Sequence, residues 1–194
     1  MNSPTLPNII LGVTGSIAAY KACELARLMA GAGWNVHVIM TAAAQKFVTP
    51  LTFQTLSRNP VGTDAFAPVA DWKPEHVALA ERADLFVVAP CTANFMAKLA
   101  HGLADDLLAS TALATRAPIV LAPAMNDGMW DNPATQDNLA TLQCRGVHIV
   151  EPADGQLACG VNAKGRMAEP KQIFDYCRML SNAIDGNRKQ SNGE

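Results

Sequence analysis

The chain has 194 residues, 49% of them hydrophobic, and 15 basic against 17 acidic side chains give it a formal charge of −2. That size and composition suit one domain with a substantial core, and the small net charge gives no electrostatic basis for binding nucleic acid or an anionic membrane. No apolar run approaches the roughly 20 residues needed to span a bilayer, and residues 1–4 do not begin a signal peptide. These features predict neither a nucleic-acid partner nor a membrane partner.

The five cysteines favour a reducing compartment over a disulfide-linked or zinc-binding protein. Their number is odd, their spacing is wide and no pair forms a C-x-x-C motif. Free cysteine behaves as a small apolar residue, so most of these side chains are expected in the core. We therefore expect a cytoplasmic protein in which the following thiols stay reduced: Cys23, Cys91, Cys144, Cys159 and Cys177.

In chain order, the first predicted unit is a strand, a turn and a helix. The apolar run over residues 8–13 ends in Thr14-Gly15-Ser16, which is typical of a buried strand that enters a tight turn. Ser16 is placed to cap a helix that continues to about Ala32. The positions of this helix that are expected to face inward are Ile17, Leu25, Leu28 and Met29.

Further apolar runs predict strands over residues 36–40, 85–89, 119–122 and 147–150, with helices between them that include 105–115 and 133–145. This alternation predicts an α/β fold of three layers, a parallel sheet with helices on both faces. Residues 155–168 interrupt the alternation and predict a long loop or a hairpin flap, after which a final helix follows Pro170. We expect one domain over residues 1–184 and a mobile tail over 185–194.

The turn after the first strand is a candidate nucleotide site. Gly15 lies between a strand and a helix, where backbone N–H groups and the helix N-terminus favour an anion, although a plain tight turn would look the same. The second strand ends at Thr41 and carries no acid for the ribose of a dinucleotide, so a mononucleotide fits better. Such ligands bind at the carboxyl ends of the strands, so the turns after Val13, Met40, Ala89 and Ala122 should line the site.

Two of these turns carry distinctive motifs. The segment Pro123-Ala-Met-Asn-Asp-Gly-Met-Trp130 matches the P-x-M-N-x-x-M-W motif of the homo-oligomeric flavin-containing cysteine decarboxylases, and Pro90-Cys-Thr-Ala-Asn-Phe95 resembles their P-A-S-A-N-T motif. The flap sequence Leu157-Ala-Cys-Gly160, followed by Gly165-Arg-Met167, resembles the phosphopantothenoylcysteine decarboxylase branch of this family. The segment that resembles P-A-S-A-N-T departs from the family at Cys91, Thr92 and Phe95. Thr92 keeps a hydroxyl group, whereas Phe95 removes one, which puts a flavin contact by that side chain in question.

The resemblance implies a flavodoxin-like, Rossmann-type fold and FMN as the cofactor. It implies decarboxylation of 4′-phosphopantothenoyl-L-cysteine to 4′-phosphopantetheine in coenzyme A biosynthesis. Transient oxidation of the thiol to a thioaldehyde would place the carboxylate β to a C=S bond, which accepts the electrons left by CO2. Reduction of the resulting enethiol would complete the reaction, since flavins accept and return hydride.

The family pattern also implies roles for individual residues. His76, which follows Pro74 at a predicted helix start, would be the catalytic base, Asn126 would hold the substrate carboxylate, and Cys159 would donate a proton to the enethiol. Read without the resemblance, His76 would be structural and Asn126 a turn or helix cap. The candidate cofactor-binding residues are Gly15, Ser16, Ile17, Thr41, Thr92, Ala93, Asn94 and Ala124, and the candidate substrate-binding residues are Asn126, Met129 and Arg166.

Other interpretations stay open on sequence grounds. A peptidyl-cysteine decarboxylase would share FMN, His76 and Asn126 but need not share the Cys159 flap. A non-catalytic flavoprotein regulatory subunit would share the fold, and the motifs alone do not exclude it. The P-x-M-N-x-x-M-W motif argues against a flavin prenyltransferase. Relatives imply a homotrimer or a trimer-based dodecamer with the site at the subunit interface. No metal is expected, because capping and surface contacts explain Lys98, His101, Asp105 and Asp106 better than a metal site does.

Overall fold

The computed structural model describes residues 6–67, 72–156 and 162–191. Its main sheet has six parallel strands in the order β3-β2-β1-β4-β5-β6, so the order reverses between β1 and β4. This is the doubly wound arrangement in which ligands bind at the carboxyl ends of the strands beside the reversal. The strands of the main sheet are β1 (Asn8–Val13), β2 (Asn35–Met40), β3 (Val61–Gly62), β4 (Leu85–Cys91), β5 (Ile119–Pro123) and β6 (His148–Ile149).

Helices cover both faces of this sheet, which confirms the predicted three-layer, flavodoxin-like α/β fold. Buried side chains of α1 and α8 pack on one face, and those of α3, α4, α5 and α7 pack on the other. The helices within the described residues are α1 (Ala19–Gly31), α2 (Pro50–Ser57), α3 (Glu75–Arg82), α4 (Ala93–His101), α5 (Leu107–Ala114), α6 (Asp127–Trp130), α7 (Pro133–Cys144) and α8 (Pro170–Ser191).

The two central strands alternate their side chains between the two halves of the core. Ile9 and Leu11 of β1 pack on the side of α1 and α8, whereas Ile10 packs on the opposite side. In β4, Val87 and Val88 follow the same alternation, and all five side chains are fully buried. Burial on both faces explains why these strands appear in the sequence as continuous apolar runs.

Two glycines let α5 pack directly on the strand backbone. A Cβ atom added at Gly12 would lie 2.5 Å from Leu108 Cδ1, and one added at Gly62 would lie 2.8 Å from Leu107 Cδ2. A side chain at either position would therefore collide with α5. These close contacts place the first turn of α5 over β1 and β3, below the carboxyl edge of the sheet.

The first helix begins later than the sequence predicts. Ser16 does not cap it, because residues 14–18 form an extra turn in which Ser16 Oγ accepts the N–H of Ala18 at 3.3 Å. The helix starts at Ala19 after Ala18, which has no capping side chain. The inward position predicted for Ile17 is also wrong: this side chain is 57% exposed, because the extra turn directs it outward.

The predicted flap is an antiparallel hairpin in the part that the structure describes. Its strands are β7 (Ala153–Gln156) and β8 (Asn162–Arg166), and we call these two strands together the hairpin. The last helix, α8, continues to Ser191, so helical backbone extends past residue 184, where the sequence predicts the end of the domain. No helix among the described residues is long and apolar enough to cross a bilayer.

A polar cluster lies at the amino edge of the sheet, away from the predicted site. His37 is only 8% exposed, and its Nε2 lies 3.1 Å from Asn35 Nδ2 and 3.4 Å from Arg82 Nη1. With two donors facing Nε2, the neutral ring accepts there and carries its proton on Nδ1. Burial of the ring, and then the charge of Arg82, lower the pKa of His37 below its ordinary value.

This lowered pKa predicts a loss of stability on mild acidification. Above about pH 6.5 the ring is neutral in both the folded and the unfolded chain; below it, the unfolded chain binds the proton first. We expect the free energy of unfolding to fall by up to about 1.4 kcal/mol per pH unit between pH 6.5 and the folded pKa of His37. Urea unfolding of the wild type and of His37→Gln between pH 7.5 and 5.5 tests this, and parallel curves would contradict it.

Candidate active site

Turns at the carboxyl ends of four strands converge beside the reversal of strand order. They follow β1, β2, β4 and β5, as the sequence predicts. The structure brings all the candidate cofactor residues to these turns or to the first turn of the helix after them. They are Gly15, Ser16 and Ile17 after β1, Thr41 after β2, Thr92, Ala93 and Asn94 after β4, and Ala124 after β5.

The hydroxyl group of Thr14 joins the turns after β1 and β4. Thr14 Oγ1 donates to the carbonyl oxygen of Pro90 at 2.7 Å and accepts the N–H of Thr92 at 3.0 Å. The Thr14 side chain is buried, and its backbone N–H also donates to the carbonyl oxygen of Pro90 at 3.4 Å, so a side-chain bond and a backbone bond both reach this carbonyl group. Thr14 is not among the site residues predicted from the sequence, where its only signal is a hydroxyl group directly before Gly15.

The turns after β1 and β2 touch through their backbones. A Cβ atom added at Gly15 would lie 2.4 Å from the Cβ of Ala43, so only glycine permits this approach. Thr41 N donates to the carbonyl oxygen of Val13 at 3.1 Å, and Thr41 Oγ1 accepts the N–H of Ala44 at 3.2 Å. These contacts place Thr41 beside the Gly15 turn, at the position where a dinucleotide-binding fold would carry an acid.

The turn after β4 contains Phe95, at which the sequence departs from the family motif. Phe95 is 2% exposed and packs in the core below the turn, so its replacement of a smaller residue affects packing there. Thr92 caps α4, since its Oγ1 accepts the N–H of Phe95 at 3.4 Å. Cys91 is fully buried, and burial raises the pKa of its thiol far above the ordinary range, so it stays protonated.

The turn after β5 presents two candidate substrate residues. Asn126 caps the short helix α6, because its Oδ1 accepts the N–H of Gly128 at 2.9 Å. The cap fixes the orientation of the side-chain amide at the exposed surface of the turn. Met129 is 48% exposed, whereas Trp130 is buried and anchors α6. Ala124 N donates to the carbonyl oxygen of Cys91 at 3.0 Å, which holds this turn against the preceding one.

Strand β8 of the hairpin lies directly against the Asn126 turn. Met125 N donates to the carbonyl oxygen of Gly165 at 3.0 Å. Gly165 has a φ of +146°, and a Cβ there would lie 2.4 Å from the carbonyl oxygen of Met125, so the contact requires glycine. Arg166 follows on the same strand and pairs with Glu169. The candidate Cys159 lies outside the described residues.

His76 also lies toward the carboxyl edge of the sheet. It is the second residue of α3, which begins directly after Pro74, and its side chain is half-buried. The start of α3 lies beside β3, because Glu75 Oε1 comes 3.4 Å from a Cβ built at Gly62. Burial, and then the charge of Asp64, raise the pKa of the Glu75 carboxyl group. The helix thus starts near the outer side of the candidate site, next to β2.

The acidic residues near Lys98 have the structural roles that the sequence favours. Asp106 caps α5 by accepting the N–H of Ala109 at 2.8 Å. Lys98 Nζ lies 2.6 Å from Asp105 Oδ1 and 2.9 Å from Asp106 Oδ2. This network explains the cluster by helix capping and by ion pairs.

The donor groups in the turns fit a mononucleotide. The hydroxyl oxygens of Ser16, Thr41 and Thr92 each accept a backbone N–H, which orients them and leaves each hydroxyl proton able to donate to a ligand. Such neutral donors suit phosphate oxygens and the polar edge of a flavin ring.

The Thr14 bridge predicts a large difference between two conservative substitutions. Thr14→Val should lower the free energy of unfolding by about 1.5 kcal/mol, because it takes the hydroxyl acceptor from the N–H of Thr92 and leaves the carbonyl oxygen of Pro90 with only its backbone bond from Thr14. Thr14→Ser should cost about half as much, since it removes only a methyl group. Thr111→Val is the matched control: its buried hydroxyl bonds only the Leu107 carbonyl within α5. Urea unfolding measures all three, and equal losses for the two Thr14 variants would contradict the bridge.

Comparison with known proteins identifies the family of this site. Residues 2–182 match the family model described as Flavoprotein. The chain is 49% identical to the coenzyme A biosynthesis bifunctional protein CoaBC of Haemophilus influenzae over 167 residues. This matched region covers 86% of this chain and 42% of that protein. The chain therefore spans less than half the length of this curated relative.

Solved structures agree with the same family. A mutant PPC decarboxylase complexed with pantothenoylaminoethenethiol matches with a TM-score of 0.80 at 30% identity, over 90% of this chain and 98% of that chain. The FMN-dependent cysteine decarboxylase SpaF matches with a TM-score of 0.74 at 32% identity, over 87% of this chain and 96% of that chain. Because the family model matches residues 2–182, which is nearly the whole length of this chain, the chain belongs to the flavoprotein family.

Proposed function

We propose that this chain is an FMN-dependent decarboxylase that converts 4′-phosphopantothenoyl-L-cysteine to 4′-phosphopantetheine in coenzyme A biosynthesis. The observation that carries the proposal is the convergence of the Gly15–Ile17 turn, Thr41, Thr92 and the Asn126 turn at one edge of the sheet. Its sequence and structural relatives, one of them a PPC decarboxylase, support the choice of substrate.

The chain would hold FMN with the turns after β1, β2 and β4. The hydroxyl groups of Ser16, Thr41 and Thr92 are the donors for its phosphate and polar ring edge. FMN would supply reversible hydride transfer, which makes the loss of CO2 possible without a net change of oxidation state. Ala93, Asn94 and Ala124 complete the wall beside these donors.

Asn126 would bind the substrate carboxylate. Its carbonyl oxygen caps α6, so the NH2 end of the same amide is the part that can donate to a carboxylate. A neutral donor can hold the carboxylate while opposing its departure less than a paired cation would. Met129, which is exposed on α6, would contact the apolar part of the substrate, and Arg166 would approach its phosphate.

His76 and Cys159 would handle protons. His76, half-buried at the start of α3, would accept a proton during oxidation of the substrate thiol. Cys159 would return a proton to the enethiol carbon when the substrate is reduced. This assignment rests on the family motif around Cys159. Cys91 is unsuited to the task, because it is fully buried and its raised pKa makes its thiol a poor acid.

The direct test is to incubate the purified protein and FMN with 4′-phosphopantothenoylcysteine and to follow CO2 release, product mass and flavin absorbance. We expect CO2 and 4′-phosphopantetheine in equal amounts. His76→Asn should abolish CO2 release while FMN stays bound, because the substituted side chain cannot accept the proton. His101→Asn, at an exposed position at the end of α4, is the matched control and should turn over normally.

The outcomes separate this proposal from the alternatives. Turnover of a peptide with a C-terminal cysteine in preference to the phosphorylated substrate would favour a peptidyl-cysteine decarboxylase. Bound FMN with no turnover of either substrate would favour a regulatory flavoprotein. Full activity of His76→Asn would remove this residue from the mechanism.

We also propose that the chain works as a homotrimer or a trimer-based dodecamer with the site at a subunit interface. Apolar side chains stand exposed on elements that begin at the carboxyl edge, which suits burial against another copy. They are Ile17, Tyr20, Phe47, Leu51 and Met129. Light scattering should give at least three copies per particle, and an active monomer would contradict the assignment.

The free thiols and this pathway suit the cytoplasm.

A further inference from the structure

Glu169 lies between the hairpin and the last helix, where its backbone is firmly held. Its carbonyl oxygen accepts the N–H groups of Gln172 and Ile173 at 2.9 and 3.1 Å, and its own N–H donates to Gln172 Oε1 at 3.1 Å. The two residues before it, Met167 and Ala168, are buried in the core. The side chain of Glu169 therefore projects from a fixed point at the start of α8.

One carboxylate oxygen of Glu169 holds two cations from different parts of the chain. Glu169 Oε1 accepts from Lys21 Nζ on α1 at 3.0 Å and from Arg166 Nη2 on β8. The Lys21 side chain is only 12% exposed, so this end of the network is shielded from water. The bond from Lys21, with a further contribution from Arg166, lowers the pKa of the Glu169 carboxyl group and keeps it ionised.

Each cation belongs to an element that adjoins one side of the candidate active site. Lys21 lies in α1, the helix that directly follows the Gly15–Ile17 turn. Arg166 follows Gly165, whose carbonyl oxygen accepts the N–H of Met125, the residue before Asn126. Since a Cβ at Gly165 would overlap the carbonyl oxygen of Met125, β8 and this turn meet without a gap. A shift of β8 would consequently move the Asn126 turn with it.

We propose that Glu169 is a positioning residue that sets the Asn126 turn relative to the Gly15–Ile17 turn by holding Lys21 and Arg166 on one oxygen. Its effect on catalysis rests on the proposed function, whereas its effect on geometry does not. Without the carboxylate, two neighbouring positive charges would face each other and repel. Loss of the Glu169 carboxylate should therefore remove two ion pairs and, in addition, push β8 away from α1 through the repulsion between Lys21 and Arg166.

The test compares Glu169→Gln with Glu151→Gln, which removes another carboxylate that pairs with a cation of β8. Glu151 Oε2 pairs with Lys164 Nζ of β8 at 2.9 Å, but this pair has no link to α1. Amide hydrogen exchange of Met125 reports the bond between the Asn126 turn and β8. We expect this exchange to accelerate at least about fivefold in the full-length Glu169→Gln variant and to change little in Glu151→Gln.

A second variant separates charge repulsion from simple loss of contacts. Lys21→Met combined with Glu169→Gln removes one of the two repelling cations, so exchange at Met125 should return part of the way toward the wild-type rate. Equal exchange in Glu169→Gln and Glu151→Gln would overturn the proposal. Acceleration by the same factor in the amides of β1 and β4 would indicate general destabilisation and would overturn it as well.

Turnover gives an independent measurement of the same displacement. With 4′-phosphopantothenoylcysteine, Glu169→Gln should raise KM about tenfold relative to Glu151→Gln and leave FMN affinity within about twofold, because the shift affects the substrate turn more than the cofactor turn. If the wild type does not turn over but Met125 exchange responds as expected, the proposed function fails and the positioning role stands. If the wild type turns over and the two variants have the same KM, the positioning role fails.

Discussion

The Thr14 hydroxyl group controls how closely the two central turns of the site approach each other. This buried hydroxyl bonds a carbonyl oxygen and an N–H of the turn after β4. The remaining site contacts extend from these two turns: Thr41 bonds to the end of β1, and Ala124 bonds to the end of β4. A site assembled from four separate segments thus depends on one buried side chain at the reversal of strand order.

Glycine positions complement this bridge by allowing backbones to meet. Gly15 permits contact between the turns after β1 and β2, and Gly165 permits contact between the hairpin and the Asn126 turn. At Gly12 the same absence of a side chain admits Leu108 of α5 against β1. Each glycine excludes a side chain that would collide with its neighbour, so the spacing of the turns is set sterically as well as by hydrogen bonds.

Much of this arrangement could be predicted from local sequence patterns. Apolar runs located β1, β2, β4 and β5, because strands buried on both faces need such runs. The turns after them held the candidate cofactor residues because parallel strands end at one edge. The start of α1 and the direction of Ile17 were not predictable, since the extra turn depends on bonds among Thr14, Ser16 and Ala18. The roles of Thr14 and Glu169 depend on partners distant in sequence, which periodicity does not reveal.

Asn126 caps a helix and, under the proposed function, would also bind the substrate with the same side chain. Its oxygen caps α6, while its NH2 end is the proposed donor to the substrate carboxylate. An alanine at this position would remove both, so lost activity could reflect a displaced Trp130 and Met129 as readily as a lost contact. Aspartate retains an oxygen for the cap and replaces the donor with an acceptor. Comparison of the alanine and aspartate variants therefore separates the two roles of Asn126. Alanine removes the cap and the donor together, whereas aspartate keeps the oxygen that caps α6 and exchanges only the donor.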